Sequence, residues 1–164
     1  MSEIRFYRAT GEYGFLSNLY PCEVYLTGEG HYRSAEHAYQ VGKAKSPAMK
    51  ADIRGVKLPR TAAIIGHGLY PFDVVEHWNA IKLDRMQRVV WAKFDPVCHD
   101  PLHTSYCNMH RLGWKLLATG EAILVEASKT DAFWGIGRNG DGANMLGSIL
   151  METRKKIVES KAQQ

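Results

Sequence analysis

The 164-residue chain contains no run approaching the roughly 18 apolar residues of a membrane span, so it is not expected to cross a bilayer. Its start, Met1-Ser2-Glu3-Ile4-Arg5, lacks the apolar stretch of a secretory signal, and a cytoplasmic protein, or a nuclear one in a eukaryote, is expected. Cysteine is scarce: Cys22, Cys98 and Cys107 are too few, and odd in number, for the disulfide framework of a secreted domain. No block of five or more Lys/Arg occurs, so the net charge of +4 is compatible with an anionic ligand without demanding one. There is no internal repeat, low-complexity tract or linker. A G-x-S-x-G elbow, a Walker lysine loop and a recognisable Ser/His/Asp order are also missing, which leaves acyl transfer and nucleoside-triphosphate hydrolysis without support.

What is present is ordinary globular composition, 45% hydrophobic and 23% charged. A single domain over 1–164 is expected to bury about two-thirds of its unfolded surface, with 160–164 as a frayed polar tail. Ile4–Tyr7 and Cys22–Leu26 read as short strands of a small antiparallel sheet, separated by a turn-rich stretch from Gly11 to Pro21. Ser34 is suited to cap a helix running to about Lys45, Pro47 to open a second that ends near Gly55, and Pro59 to open a third. Between Val74 and Phe94, Val75, Trp78, Ile81, Met86 and Val89 recur at helical spacing. Ile123–Glu126 reads as a strand and Asn144 to about Ser160 as a closing helix, giving an α+β fold dominated by helices.

Four groupings have residue types suited to chemistry. At 100° per residue, Glu36, Gln40 and Lys43 fall within about a 60° arc. An ion-paired solvent face is the ordinary outcome of such an arc, but the other side carries Ala38 and Val41 with Lys45 between them, so neither side is a clean solvent face. A buried Glu36 would have its pKa raised toward neutrality and serve as general acid or base, and a desolvated Lys43 would become a nucleophilic amine. Lys82 stands inside the apolar arc of the fourth helix, four residues from both Trp78 and Met86, where it either snorkels to water or meets a phosphate or developing oxyanion.

The segment from Asp131 to Asn144 has glycines at 135, 137, 140 and 142 ahead of a helix, suggesting a phosphate-contacting loop that bears an acid and an indole. Its literal G-x-G-x-x-G match is rejected as a dinucleotide fingerprint, because Asp131-Ala132-Phe133-Trp134 intervenes after the strand and the helix starts too late. Cys98, His99, His103, Cys107 and His110 are spaced so as to gather metal ligands, but Asp100-Pro101 breaks the register and no standard ligand spacing is present, so no metal is expected. Glycosidic chemistry, by contrast, needs only an acid, a stabilising carboxylate and a cradle for the sugar phosphate, roles open to Glu36, Asp131 and the glycine loop.

These residues, with Phe6-Tyr7, Phe15–Pro21, Ser34–Gln40, Trp78–Lys82, Lys93-Phe94, Leu124–Glu126, Asp131–Gly135 and Asn144–Gly147, resemble the NADAR (NAD and ADP-ribose) superfamily over nearly the whole chain. The resemblance implies a helix-rich α+β domain that hydrolyses N-glycosides with no metal or other cofactor. The implied substrates are ADP-ribose attached to guanine, alone or in single-stranded DNA, or ribosylamino-pyrimidine phosphates of riboflavin synthesis. It implies catalytic roles for Glu36, Lys43, Lys82 and Asp131. Substrate binding is implied for Asn18, Tyr39, Gln40, Trp78, Trp134, Gly135, Gly137, Arg138 and Asn144. Two readings of other classes stand beside it: a non-catalytic module sensing NAD-derived ligands, which would need neither Glu36 nor Asp131, and a nucleic-acid-binding domain, supported only by charge and scattered aromatics.

Overall fold

The structure, a computed structural model, describes residues 2–95 and 106–162. Six α-helices lie among them: α1 (Ala35–Lys43), α2 (Pro47–Gly55), α3 (Pro59–His67), α4 (Trp78–Phe94), α5 (Tyr106–Leu117) and α6 (Met145–Ala162). Four short strands accompany them: β1 (Glu3–Phe6), β2 (Val24–Leu26), β3 (Gly30–Tyr32) and β4 (Ile123–Glu126). None of the described helices is long and apolar enough to cross a membrane.

Local chemistry sets the early helix starts. The Ser34 hydroxyl accepts from the His37 amide, and the Ser46 hydroxyl accepts from that of Met49, each satisfying an amide the helix leaves open. Pro47 and Pro59 occupy first-turn positions, where their missing N–H costs nothing.

Of three differences from the sequence reading, the first two concern partners that lie far away in the chain. An antiparallel pair exists, β2 with β3, but β1 pairs in parallel with β4, Ile4 opposite Leu124. A parallel partner requires a long crossover, here most of the domain, and a strand's own pattern does not name it. The fourth helix starts at Trp78 and not at Val74, because Val74 bridges to Ala44 and the Val75 amide donates to Lys43 O, which holds this stretch extended. Helix α5 falls where the sequence reading assigned no element.

The core gathers Phe15, Leu16, Val24, Ile53, Val89, Phe94, Leu116, Leu124, Leu150 and Ile157 between the helices and the small sheets. Two buried polar groups tie α1 to its surroundings. His37 Nε2 lies 3.0 Å from Val56 O, and since a carbonyl only accepts, this nitrogen carries the proton and Nδ1 accepts from Ser34 Oγ at 2.8 Å. Burial lowers the His37 pKa and keeps the ring neutral.

Arg85 is the second tie. Its guanidinium donates to Ala38 O on α1 and grips both Glu29 carboxylate oxygens at 2.5 and 2.8 Å in the β2–β3 turn. A Cβ on Gly42 would collide with the Arg85 guanidinium, so only glycine allows this approach. Burial alone would raise the Glu29 pKa, but hydrogen bonds from Arg85 and Tyr32 and the charges of Arg85 and Arg88 outweigh it and hold it at about 2, against an ordinary 4.5. Arg85→Met strands a half-buried carboxylate and should cost about 3 kcal/mol, read by denaturant unfolding at neutral pH. Because Glu29 is depressed, the pair's contribution is full above pH 4.5 and disappears as pH falls through about 2. Acid titration of wild type and variant should therefore show the difference closing only below pH 4.5; a constant difference down to pH 2 would contradict it.

Candidate active site

The packing leaves a cavity of about 500 Å³ where α1, α3, the N-terminal turns of α4 and the segment after β4 meet. Its walls include Asn18, Glu36, Tyr39, Gln40, Lys43, Trp78, Lys82, Asp131 and Trp134. Two segments ninety-five residues apart in sequence thus place Glu36 and Asp131 at one cavity.

Helix α1 presents Glu36, Gln40 and Lys43 on one face, and that face points into the protein, so the ion-paired solvent face is excluded. Gln40 Nε2 donates to Glu36 Oε1 at 2.8 Å, while Gln40 Oε1 is buried without a partner. The Lys43 ammonium donates to Gly66 O at 2.7 Å. The Asn18 carbonyl accepts from the Glu36 amide, and the Asn18 side chain lies 3.2 Å from Met86 Sδ, which holds the loop before β2 against both helices.

Lys82 is explained by how α4 is shared between core and cavity. Its C-terminal turns bury Met86, Val89, Val90 and Phe94, whereas one turn earlier the same face borders the cavity through Trp78, Lys82 and Met86. Half-buried, the Lys82 ammonium sits 3.9 Å from the centre of the Phe133 ring, a placement that favours a cation. Tyr39 stands between the indoles, 5.2 Å from Trp78 and 5.6 Å from Trp134, and Phe133 meets Trp134 edge-on at 4.8 Å. An aromatic wall results.

One carboxylate was not singled out in the sequence. Glu126 ends β4 and lines the cavity with Glu36 and Asp131. Burial, followed by the charges of Asp131 and Glu36, pushes its pKa up to about 8, with the Lys93 ammonium acting in the other direction. Burial also raises Glu36, against the Gln40 hydrogen bond and the Lys43 charge. Asp131 serves differently: its Oδ1 accepts from the Phe133 and Trp134 amides at 2.9 and 2.8 Å, which turns the aromatic pair toward the cavity. Lys43 has its pKa lowered by burial, with Glu36 opposing the shift. The cavity thus holds two carboxyl groups that burial favours as acids and an amine that burial favours as a base. A signal for Glu126 was present, since a carboxylate terminates an otherwise apolar strand five residues before Asp131.

Behind this wall Lys93 is fully buried and donates to Ser17 O at 2.7 Å. Burial brings its pKa down to about 8. His67, Asn79, Met86 and Ser128 also line the cavity and carried no functional expectation.

The glycine loop departs from expectation. Gly135, Gly137, Arg138 and Asn144 do not line the cavity, because the loop folds on itself. Its amides at Ile136, Gly137, Gly142, Ala143 and Asn144 donate to carbonyls of residues 126, 131, 136, 132 and 135. The first amides of α6, at Met145 and Leu146, donate to Phe133 O and Trp134 O. These donors are therefore not free to grip an anion. A Cβ on Gly135 would stand 2.8 Å from Glu126 O, and one on Gly142 2.6 Å from Gly135 O, so these glycines serve close backbone packing. Asn144, at φ 49°, spans β4: its Oδ1 accepts from the Glu126 amide and its Nδ2 donates to Leu124 O. Arg138 is exposed.

The Cys98, His99, His103, Cys107 and His110 grouping lies outside the described residues and side chains. Among the described residues no group of three or more His, Cys, Asp or Glu is placed to hold a metal ion.

The profile of the NADAR domain matches residues 5–158, nearly the whole chain and every residue of this cavity. The chain belongs to the NADAR domain family. N-glycosidase YbiA of Shigella boydii is 32% identical over 158 residues, covering 96% of this chain and 90% of that protein. The chloroplastic riboflavin biosynthesis protein PYRR of maize is 34% identical over 94% of this chain, which spans only 25% of the maize protein. The NMR structure of Escherichia coli YbiA superposes with a TM-score of 0.78 at 30% identity, covering 99% of this chain and 89% of that one. This NADAR protein is accordingly a hydrolase of N-glycosidic bonds, with the α+β architecture of its family.

Proposed function

We propose that the enzyme cleaves the bond between a ribose C1′ and the exocyclic amine of a guanine-like ring, with ADP-ribosylated guanine as its substrate. The observation that carries this reading is the placing of two acid-favoured carboxyl groups, Glu36 and Glu126, and a base-favoured amine, Lys43, around one aromatic-walled cavity. The indoles of Trp78 and Trp134 offer flat faces to a purine or pyrimidine ring, and Lys82 offers a cation to the sugar phosphate.

Chemically, an N-glycoside on an exocyclic amine opens when the ring oxygen takes a proton and the nitrogen lone pair forms a C1′=N imine. Glu36 supplies that proton. The neutral Lys43 amine then adds to C1′, the base amine takes a proton and departs, and a lysine imine remains. Water adds to C1′, the Lys43 amine is released, and the free sugar aldehyde recloses. No redox partner is needed, and the net change is addition of one water across the C1′–N bond.

The name of the maize relative favours a second reading, in which the ring is a ribosylamino-pyrimidine phosphate. The two substrates share the 2-aminopyrimidinone unit and the ribosyl–nitrogen bond. Incubation with each, followed by chromatography of the released base and sugar, separates them: faster turnover of ADP-ribosylated guanosine supports the first reading and faster turnover of the pyrimidine phosphate the second. If ADP-ribose binds but neither substrate is cleaved, the cavity is a sensing site and both readings fail.

A further inference from the structure

The face of α1 that carries Glu36, Gln40 and Lys43 is backed by a glycine. On α3, Ala63 and His67 line the cavity, and Gly66, buried on the same side of that helix, rests against α1. A Cβ on Gly66 would overlap Oε1 and Cδ of Gln40, and the third atom it would meet, Cγ at 2.8 Å, belongs to the same side chain. In glycine a Cα hydrogen takes that direction and points at Gln40 Oε1, which among the described residues is the one buried side-chain oxygen or nitrogen without a hydrogen-bond partner. The Gly66 carbonyl meanwhile accepts from Lys43 Nζ at 2.7 Å. One residue of α3 therefore touches both side chains that share a helix face with Glu36.

This contact decides which way the Gln40 amide lies. As placed, Nε2 donates to Glu36 Oε1 at 2.8 Å and Oε1 of Gln40 faces the Gly66 Cα–H. Reversed, the amide would press its N–H donors against a carbon that accepts nothing and bury them unpaired. The orientation has a consequence for Glu36. In a protonated carboxyl group the carbonyl oxygen is the better acceptor, so donation from Nε2 keeps Oε1 as the carbonyl and leaves the proton to Oε2. Among the described residues Glu36 Oε2 takes no hydrogen bond, yet it is not one of the buried atoms left without a partner, so it opens to the cavity.

We propose that Gly66 is a positioning residue for the reaction: its missing side chain fixes the Gln40 amide on Glu36 Oε1, so that the proton given to the substrate sits on Oε2, while its carbonyl holds Lys43 Nζ at the same cavity. Gln40 is then a positioning residue as well and acts through Glu36. The proposal rests on the reading in which Glu36 gives the proton and Lys43 adds to C1′.

The test compares wild type with Gly66→Ala, Gln40→Ala and the double variant Gly66→Ala/Gln40→Ala. Alanine favours a helix more than glycine does, and what it displaces is the flexible end of Gln40, so Gly66→Ala should fold, as its melting temperature checks. Its kcat should fall by on the order of 10²-fold, the usual cost of a misplaced reacting group, with KM nearly unchanged. In the Gln40→Ala background the same substitution should cost little more, because the overlap has gone while the carbonyl for Lys43 remains.

The second readout is the titration of Glu36, followed by carboxyl ¹³C NMR without substrate. The Gln40 hydrogen bond favours the ionised form, so its loss in Gly66→Ala or Gln40→Ala should move the Glu36 midpoint to higher pH, and the alkaline fall of the rate with it. The other titratable groups at the cavity stay in place in every variant: Tyr39 and Lys43 on α1, His67 on α3, Lys82 on α4, Glu126 and Asp131 at and after β4, and Tyr7 after β1. An unmoved Glu36 midpoint in either single variant overturns the proposal, as does full kcat in Gly66→Ala. So do additive losses in the double variant, or a raised KM at constant kcat, which would make Gln40 a substrate contact. Failure of the underlying reading appears separately, as wild type that cleaves neither substrate class, and the Glu36 midpoints then still decide whether Gly66 and Gln40 govern that proton.

Discussion

Glu36→Gln lowers the rate of N-glycoside cleavage by on the order of 10²–10⁴-fold, the usual contribution of a positioned proton donor. The substitution retains size and still allows a hydrogen bond to Gln40, so folding should survive. What it removes is the proton that the ring oxygen needs. Burial raises Glu36 above the usual carboxylate range, and burial with the charges of Asp131 and Glu36 pushes Glu126 up to about 8, so the cavity shifts both carboxyl groups toward the protonated form. The rate should therefore fall as rising pH takes the proton from Glu36. The shift of Glu126 also makes stability fall with rising pH. A carboxyl raised from 4.5 to about 8 on folding contributes stability that is full below pH 4.5 and is lost as pH rises through 8. Glu126→Gln, which cannot ionise, should then melt higher than wild type above pH 8. A Glu36→Gln enzyme with full activity, or a wild-type rate that climbs steadily past pH 9, would remove these groups from the proton chemistry.

Lys43→Arg abolishes formation of a covalent intermediate while Lys82→Arg leaves it intact. The two lysines border one cavity under different conditions. Lys43 is drawn toward its neutral form by burial, stands beside Glu36 and has a fixed ammonium position through Gly66 O. Lys82 lies over the Phe133 ring, an environment that rewards charge. A nucleophile must present a lone pair, whereas a phosphate holder must not. Borohydride added during turnover should reduce the imine and leave the sugar attached to Lys43, located by peptide mass spectrometry. Arginine preserves the charge and forms no such adduct, so Lys43→Arg should lose at least about 10²-fold in rate if the amine acts covalently and much less if it only binds phosphate. Trapping on Lys82, or full activity in Lys43→Arg, would reverse the assignment.

Helix placement was legible where a capping serine or a proline marks the start. Ser34, Pro47 and Pro59 act within a few residues of themselves, and the helices they open are found at those positions. Val74 and Val75 misled because they have helical spacing with α4, yet their hydrogen bonds go to Lys43 and Ala44, thirty residues earlier. The glycines of 135–142 misled for a related reason: glycine allows backbone to approach either a ligand or another backbone, and here Gly135 approaches Glu126.

By itself the sequence determined the family, the α+β class, and the faces carrying Glu36, Gln40, Lys43 and Lys82, because helical periodicity and motif identity are carried by neighbouring residues. It could not say whether the Glu36 face met water or protein, since one face of an isolated helix looks the same in either case. Tertiary structure decided that by packing α3 and α4 against α1, and it brought Asp131 and the unsuspected Glu126 beside Glu36. The proton affinities follow from that decision. A carboxyl group becomes an acid at neutral pH only when burial and like charge penalise its ionised form, and both arise from residues distant in the chain.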